Sequence, residues 1–250
     1  MDLTAFAARH ALAVILIALV AVPAILAAMA VAMTGARTAR EPRVIALATL
    51  ALAACGAGVF IAIARRIAGG TPFAAADQRL LDAIREGVPL FAAPVFARLT
   101  HLGDPWFLAL LCAFVCAALV LMRRIGLAVY LAAATSAGGL INHALKAAMR
   151  RERPGGALVP LPESFSFPSG HTFGSMVCYG MCAYVLMRLA PRRWDAIVVA
   201  AACMIVLLIG TSRVVIGVHF PGDVVGGFAA GGAWLALCVG VAECVRRTRP

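Results

Sequence analysis

The chain has 250 residues, of which 63% are hydrophobic and only 13% charged, where a soluble domain carries roughly a quarter charged residues. So little polar surface excludes a water-soluble fold and assigns the chain to a bilayer. Net charge is +11, but the arginines come in short clusters between apolar runs, without a continuous basic face or aromatic platform; this argues against a nucleic-acid partner and for membrane topology.

Apolar runs near the roughly 20 residues that cross hydrocarbon recur along the chain. They predict helices at 11–33, 44–64, 105–122, 125–145, 171–187, 195–211 and 223–242. The first run follows Arg9 and precedes small residues, as a secretory signal does. It exceeds the apolar core of about 7–15 residues typical of a signal, so a retained helix is expected. If seven helices alternate, Arg37, Arg40 and Arg43 share one side with Arg123 and Arg124, with Arg188, Arg192 and Arg193, and with Arg246, Arg247 and Arg249. That side is expected to be cytoplasmic, with the N-terminus outside and the C-terminus inside. Arg65 and Arg66 fall against the rule.

Residues 67–104 are too polar to cross. Leu80, Leu81, Ile84 and Val88 share one helical face, with Asp77, Arg79, Asp82, Arg85 and Glu86 elsewhere. The pattern reads as an extracytoplasmic helix lying in the interface, bordering lateral access for lipid, or as a simple connector. Gly222/Gly226 and Gly227/Gly231 have small-xxx-small spacing, and Gly138 and Gly139 lie within the predicted helix 125–145; close helix packing accounts for all of them. The eight cysteines lie in apolar stretches, which indicates packing residues rather than a disulfide framework or a metal site. The expected organisation is one membrane domain: two N-terminal helices in 1–66, the segment 67–104, and a catalytic bundle in 105–250, with a core of 44–250.

Three polar clusters interrupt this chain. Lys146 through Arg153-Pro154 end the helix predicted at 125–145, Pro168-Ser169-Gly170-His171 open the next, and Ser212-Arg213 with His219-Phe220-Pro221-Gly222-Asp223 join the last two. Alternating spans bring all three to one membrane face. Lys146, Arg153 and Arg213 supply three cations, two of them guanidinium forks suited to phosphate oxygens. Ser169 stands at an N-cap position, and Gly170 lets an anion approach the helix amides. His219 precedes Asp223 by four residues, so a carboxylate can fix its tautomer and leave the other nitrogen free to attack phosphorus. His171 then protonates the departing oxygen. Neither cluster offers the carboxylate set expected of a Mg²⁺ site.

These residues closely resemble the three signature motifs of the type 2 phosphatidic acid phosphatase (PAP2) superfamily, with the family's order and spacing across 146–223. Asn142 and the turn Thr100-His101-Leu102-Gly103 extend the likeness. The resemblance implies an all-α, polytopic transmembrane helical bundle, with a six-helix core and an added N-terminal helix. It further implies nucleophile His219 with partner Asp223, general acid His171, and phosphate binding by Lys146, Arg153, Ser169, Gly170 and Arg213, with no metal or cofactor. The expected activity is hydrolysis of a lipid phosphate through a phosphohistidine at the outer face of the inner membrane. Candidate substrates are phosphatidic acid, phosphatidylglycerol phosphate and undecaprenyl diphosphate. A lipid-linked phosphotransferase is the enzymatic alternative, and an anion-binding transporter or scaffold the non-enzymatic one. Nothing in the sequence chooses an oligomeric state.

Overall fold

The computed structural model describes residues 42–161 and 163–248; the helix expected at 11–33, and the topology inferred for the N-terminus, lie outside them. The described residues form eight α-helices: α1 (Pro42–Ala68), α2 (Thr71–Gly87), α3 (Ala93–Leu99), α4 (Pro105–Leu121), α5 (Ile125–Met149), α6 (Gly170–Leu189), α7 (Asp195–Val215) and α8 (Pro221–Thr248). Short 3-10 turns at Leu90–Ala92, Thr100–Gly103 and Arg192–Trp194 complete the list, and no strand occurs among these residues. Hydrocarbon offers backbone groups no water, so segments that satisfy their own hydrogen bonds are what such a sequence must form.

Five helices are long and apolar enough to cross a membrane, and α3 with α4, bent by 49° at the turn between them, are together long and apolar enough as well. The 17 residues of α4 are only about 26 Å long, short of a hydrocarbon core of about 30 Å. Hydropathy alone missed the other half because Thr100, His101 and Asp104 interrupt the apolar run. Pro105, at the first turn of α4, has no amide to donate to the preceding turn, so the helix breaks there. Residues 93–103, within the segment read as an interfacial helix or a connector, pack against α7.

Other helices outrun their predicted ends: α5 continues to Met149, α7 to Val215, and α8 runs from Pro221 to Thr248. Lys146 and Arg213 end apolar runs yet stay helical and buried, because each finds a partner inside the protein. The predicted apolar face of α2 also turns inward. Leu81 packs with Val214 and Val224, while Val88 joins Val215, Ile216 and Val218. Asp77, expected on the polar side, is 5% exposed. Its burial has a cause: Oδ1 accepts from the Gly222 amide at 2.9 Å and Oδ2 from Arg151 at 2.9 Å.

α6 sits at the centre, packed on α4, α5, α7 and α8, and α1 lies along α8. Phe173, Val177 and Met181 of α6 form a core with Leu119 and Leu131. The α8 glycines allow close approach. A Cβ on Gly227 would stand 2.8 Å from the Ser169 carbonyl oxygen, and one on Gly231 3.0 Å from that of Phe173. Gly138 likewise fits against Trp234, whereas nothing lies within 4 Å of a Cβ on Gly139; close packing explains the first of that pair only. Replacing Gly227 by Val should drive α8 from α6 at the turn that carries Ser169. Overpacking of this kind costs about 1–3 kcal/mol, so the expected outcome is a lower thermal midpoint in detergent.

Candidate active site

The three polar clusters meet at one end of the bundle. Lys146, Arg153, Gly170, His171, Arg213 and His219 all line a single cavity of about 840 Å³. Asp223 and Ser169 stand behind this wall, both fully buried.

Each cluster reaches the cavity for a local reason. Asn142 and Lys146 are one helical turn apart on the inward face of α5, both buried. Arg150 adopts a left-handed conformation (φ 45°) that ends the helix. The chain beyond it leaves the helix, and Arg151 and Arg153 are half-buried while Glu152 is exposed. Pro221 opens α8 and places Asp223 in its first turn, where Oδ2 accepts from the Phe220 amide at 3.0 Å.

His219 is 1% exposed. Its Nδ1 lies 3.4 Å from Asp223 Oδ2 and 3.3 Å from Ser166 Oγ, and its Nε2 lies 3.1 Å from Arg153 Nη1. A guanidinium only donates, so Nε2 must be the acceptor, and the proton resides on Nδ1 beside the carboxylate. That leaves an unprotonated Nε2, the atom a nucleophilic histidine needs. Burial, reinforced by Arg153 and Arg213 and opposed by Asp223, pushes the His219 pKa down to about 3.

Asp223 is held from three directions. Oδ1 accepts from Arg151 at 2.7 Å, while Oδ2 takes the Phe220 amide, the Ser166 hydroxyl and His219. Arg151 also bridges to Asp77 and lies 4.2 Å over the Phe220 ring. Burial raises the Asp77 pKa, opposed by the Gly222 amide and by Arg151.

The cations frame the space beside His219. Arg153 donates to the carbonyls of Ser164 and Val218 at 2.8 Å each, and its pKa is lowered by burial. Lys146 donates to the Phe165 carbonyl. Arg213 bonds Thr100 Oγ1 at 2.7 Å, but its buried Nε finds no partner among the described residues, and neither does Asn142 Nδ2. A buried donor without an acceptor costs about 1–3 kcal/mol; phosphate oxygens in the cavity would satisfy both. Gly170 packs closely on α5: a Cβ there would stand 3.1 Å from Asn142 Oδ1, so that side chain would have to give way.

Ser169 and His171 each have further partners. Ser169 occupies the N-cap position of α6, but its side chain makes no cap bond; its Oγ accepts from Thr172 at 3.0 Å and its amide donates to the Asp223 carbonyl. It braces the wall and is absent from the cavity lining. His171 does line the cavity, and its Nε2 is 2.7 Å from Asp104 Oδ1. Asp104, Arg151 and Ser166 were not anticipated from the motifs. None of the three carried a local signal.

The depressed pKa of His219 has a direct readout. Its folded value lies below the 6.5 of a free imidazole, so the ring should stay neutral as pH falls from 8 to 5. In ¹⁵N-histidine NMR of the detergent-solubilised protein, one imidazole, absent from His219→Ala, should show no protonation across that range.

Comparison with known proteins agrees with this geometry. The family model described as the PAP2 superfamily matches residues 127–244. Phosphatidylglycerophosphatase B of Bacillus subtilis (strain 168) is 35% identical over 182 residues, covering 70% of this chain and 89% of that protein. The crystal structure of a transmembrane PAP2-type phosphatidylglycerolphosphate phosphatase from Bacillus subtilis superposes with a TM-score of 0.73 at 30% identity, covering 78% of this chain and 99% of that one. With its helical bundle and clustered motifs, the chain belongs to the PAP2 superfamily and is a membrane phosphatase of that type.

Proposed function

We propose that this phosphatase hydrolyses lipid phosphates through a phosphohistidine on His219, with phosphatidylglycerol phosphate as the foremost substrate. The observation that carries the reading is the cavity wall itself: the imidazoles of His171 and His219 share it with Lys146, Arg153 and Arg213. Nε2 of His219 attacks phosphorus as the ester bond breaks, and the imidazolium of His171 protonates the leaving oxygen. Water then attacks the phosphohistidine, giving its proton to His171, and His219 is restored. Lys146, Arg153, Arg213 and the first amides of α6 at Gly170 stabilise charge on the equatorial oxygens. Asp223 holds the Nδ1–H tautomer throughout.

The rest of the cavity supports a lipid. Beyond the polar cluster its walls are mostly apolar or small: Leu108, Ala109 and Ala113 of α4, Gly139 of α5, and Gly174 and Val177 of α6, with Thr135 and His143 of α5 among them. The names of the Bacillus relatives favour phosphatidylglycerol phosphate over phosphatidic acid and undecaprenyl diphosphate. The arginine clusters at the opposite helix ends favour a site on the extracytoplasmic face of the inner membrane.

Purified protein given phosphatidylglycerol phosphate, phosphatidic acid and undecaprenyl diphosphate in mixed micelles should release phosphate fastest from the first. The phosphoryl group removed should appear only as free phosphate even with lipid or sugar acceptors present; phosphorylated acceptor would mean a phosphotransferase. His219→Ala should lose on the order of 10³-fold or more in kcat and fail to acquire the acid-labile, base-stable label that ³²P-substrate leaves on the parent.

A second prediction concerns inhibitors. Vanadate resembles the trigonal phosphoryl state and should inhibit. EDTA should leave activity intact, since among the described residues no group of three or more His, Cys, Asp or Glu is placed to hold a metal ion; loss of activity on chelation would contradict the mechanism.

A further inference from the structure

Asp104 occupies a position where aspartate normally caps a helix, immediately before Pro105, yet its side chain makes no capping bond to α4. Its carboxylate is used elsewhere. Oδ2 lies 2.8 Å from His101 Nδ1 and accepts from Trp106 Nε1 at 3.1 Å, which fixes the group's orientation. Oδ1 is then aimed across the bundle at His171 Nε2, 2.7 Å away. The break between α3 and α4 makes this reach possible, because it brings a turn of one span against the first turn of α6. A Cβ on Gly103 would stand 3.2 Å from His171 Cδ2. The Cδ2–Nε2 edge of the ring therefore faces the Gly103–Asp104 turn. Nδ1, on the other edge, makes no hydrogen bond among the described residues, although His171 lines the cavity.

We propose that Asp104 is a positioning residue for the acid–base step: by holding Nε2–H of His171 it commits Nδ1 to proton exchange with the substrate. The inference rests on the role proposed above for His171. With Nε2–H given to the carboxylate, the imidazolium carries its second proton on Nδ1. As the P–O bond breaks and the His219 Nε2–P bond forms, that proton passes to the leaving alkoxide, which departs as the alcohol with the P–O electron pair. Nδ1 is left with a lone pair, which takes the proton of the water whose oxygen attacks phosphorus as the N–P bond breaks. The two histidines are thus used in opposite senses. In His219 the carboxylate holds Nδ1 and Nε2 reacts; in His171 the carboxylate holds Nε2 and Nδ1 reacts.

The test separates this role from a structural latch. kcat/KM covers only the steps through departure of the leaving group, so substrates that differ in their need for an acid should respond differently. Dihexanoyl phosphatidic acid leaves as a basic alkoxide, and p-nitrophenyl phosphate as a stable phenolate. Asp104→Asn and His171→Ala are compared with the parent on both substrates, and vanadate affinity reports whether the phosphate site is intact. For Asp104→Asn we expect kcat/KM to fall about 10- to 100-fold on the alkyl substrate, a part of the 10²–10⁴-fold that general acids contribute, and less than about 3-fold on the aryl substrate, with vanadate affinity retained. Selective loss in His171→Ala with Asp104→Asn inside twofold of the parent on both substrates would overturn the role of Asp104 alone. Equal loss on both substrates in Asp104→Asn, or loss of vanadate binding, would reduce the residue to a structural latch and overturn it too. Absence of selectivity in His171→Ala would remove the general-acid assignment and this inference with it.

Discussion

A carboxylate buried away from water, Asp223, depends on donors from three separate stretches of chain. Arg151 comes from the segment after α5, Ser166 from the loop before α6, and His219 with the Phe220 amide from the turn before α8. A buried charge stripped of its partners costs several kcal/mol, so the three stretches are bound to assemble together or not at all. This is the constraint that brings the motifs into one place. Arg151 extends it to α2 through Asp77, whose other oxygen holds the Gly222 amide just before Asp223.

The same arrangement accounts for the chemistry proposed at His219. An imidazole out of water cannot readily hold a charge, and Arg153 and Arg213 beside it add to that penalty. Neutrality, which is a cost for a general acid, is an advantage for a nucleophile. Asp223 does not charge the ring; it decides which nitrogen carries the proton. The cations that suppress protonation of His219 are those that would receive the phosphate, so one electrostatic arrangement prepares the attacking atom and its target.

The break between α3 and α4 is the second device. A straight span would carry Thr100 and Asp104 around a helical surface; the bend instead presents them to α7 and α6, where they meet Arg213 and His171. Small residues let the helices come close enough for such contacts, as Gly227 does against the α6 N-terminus. Below the polar end, the apolar walls between α4, α5 and α6 leave room that a soluble phosphate ester would not fill.

Much of this was legible in the chain before any coordinates. Composition demands a bilayer, uncharged runs locate the helices, and motif residues such as Lys146, Arg153, Gly170, His171, Arg213 and His219 are so out of place among apolar neighbours that their convergence follows from alternating spans. Burial and periodicity are local properties, and local properties are written in sequence. What the sequence left open were the residues whose meaning is a partner. Nothing local distinguishes Asp104 from a helix cap, Asp77 from a surface charge, or Ser166 from an ordinary loop serine, and nothing local shows that the Ser169 hydroxyl faces Thr172. Each of these is decided by a contact across about 40 residues or more of chain, or by which side of a wall a side chain occupies, and only the packed bundle contains that information.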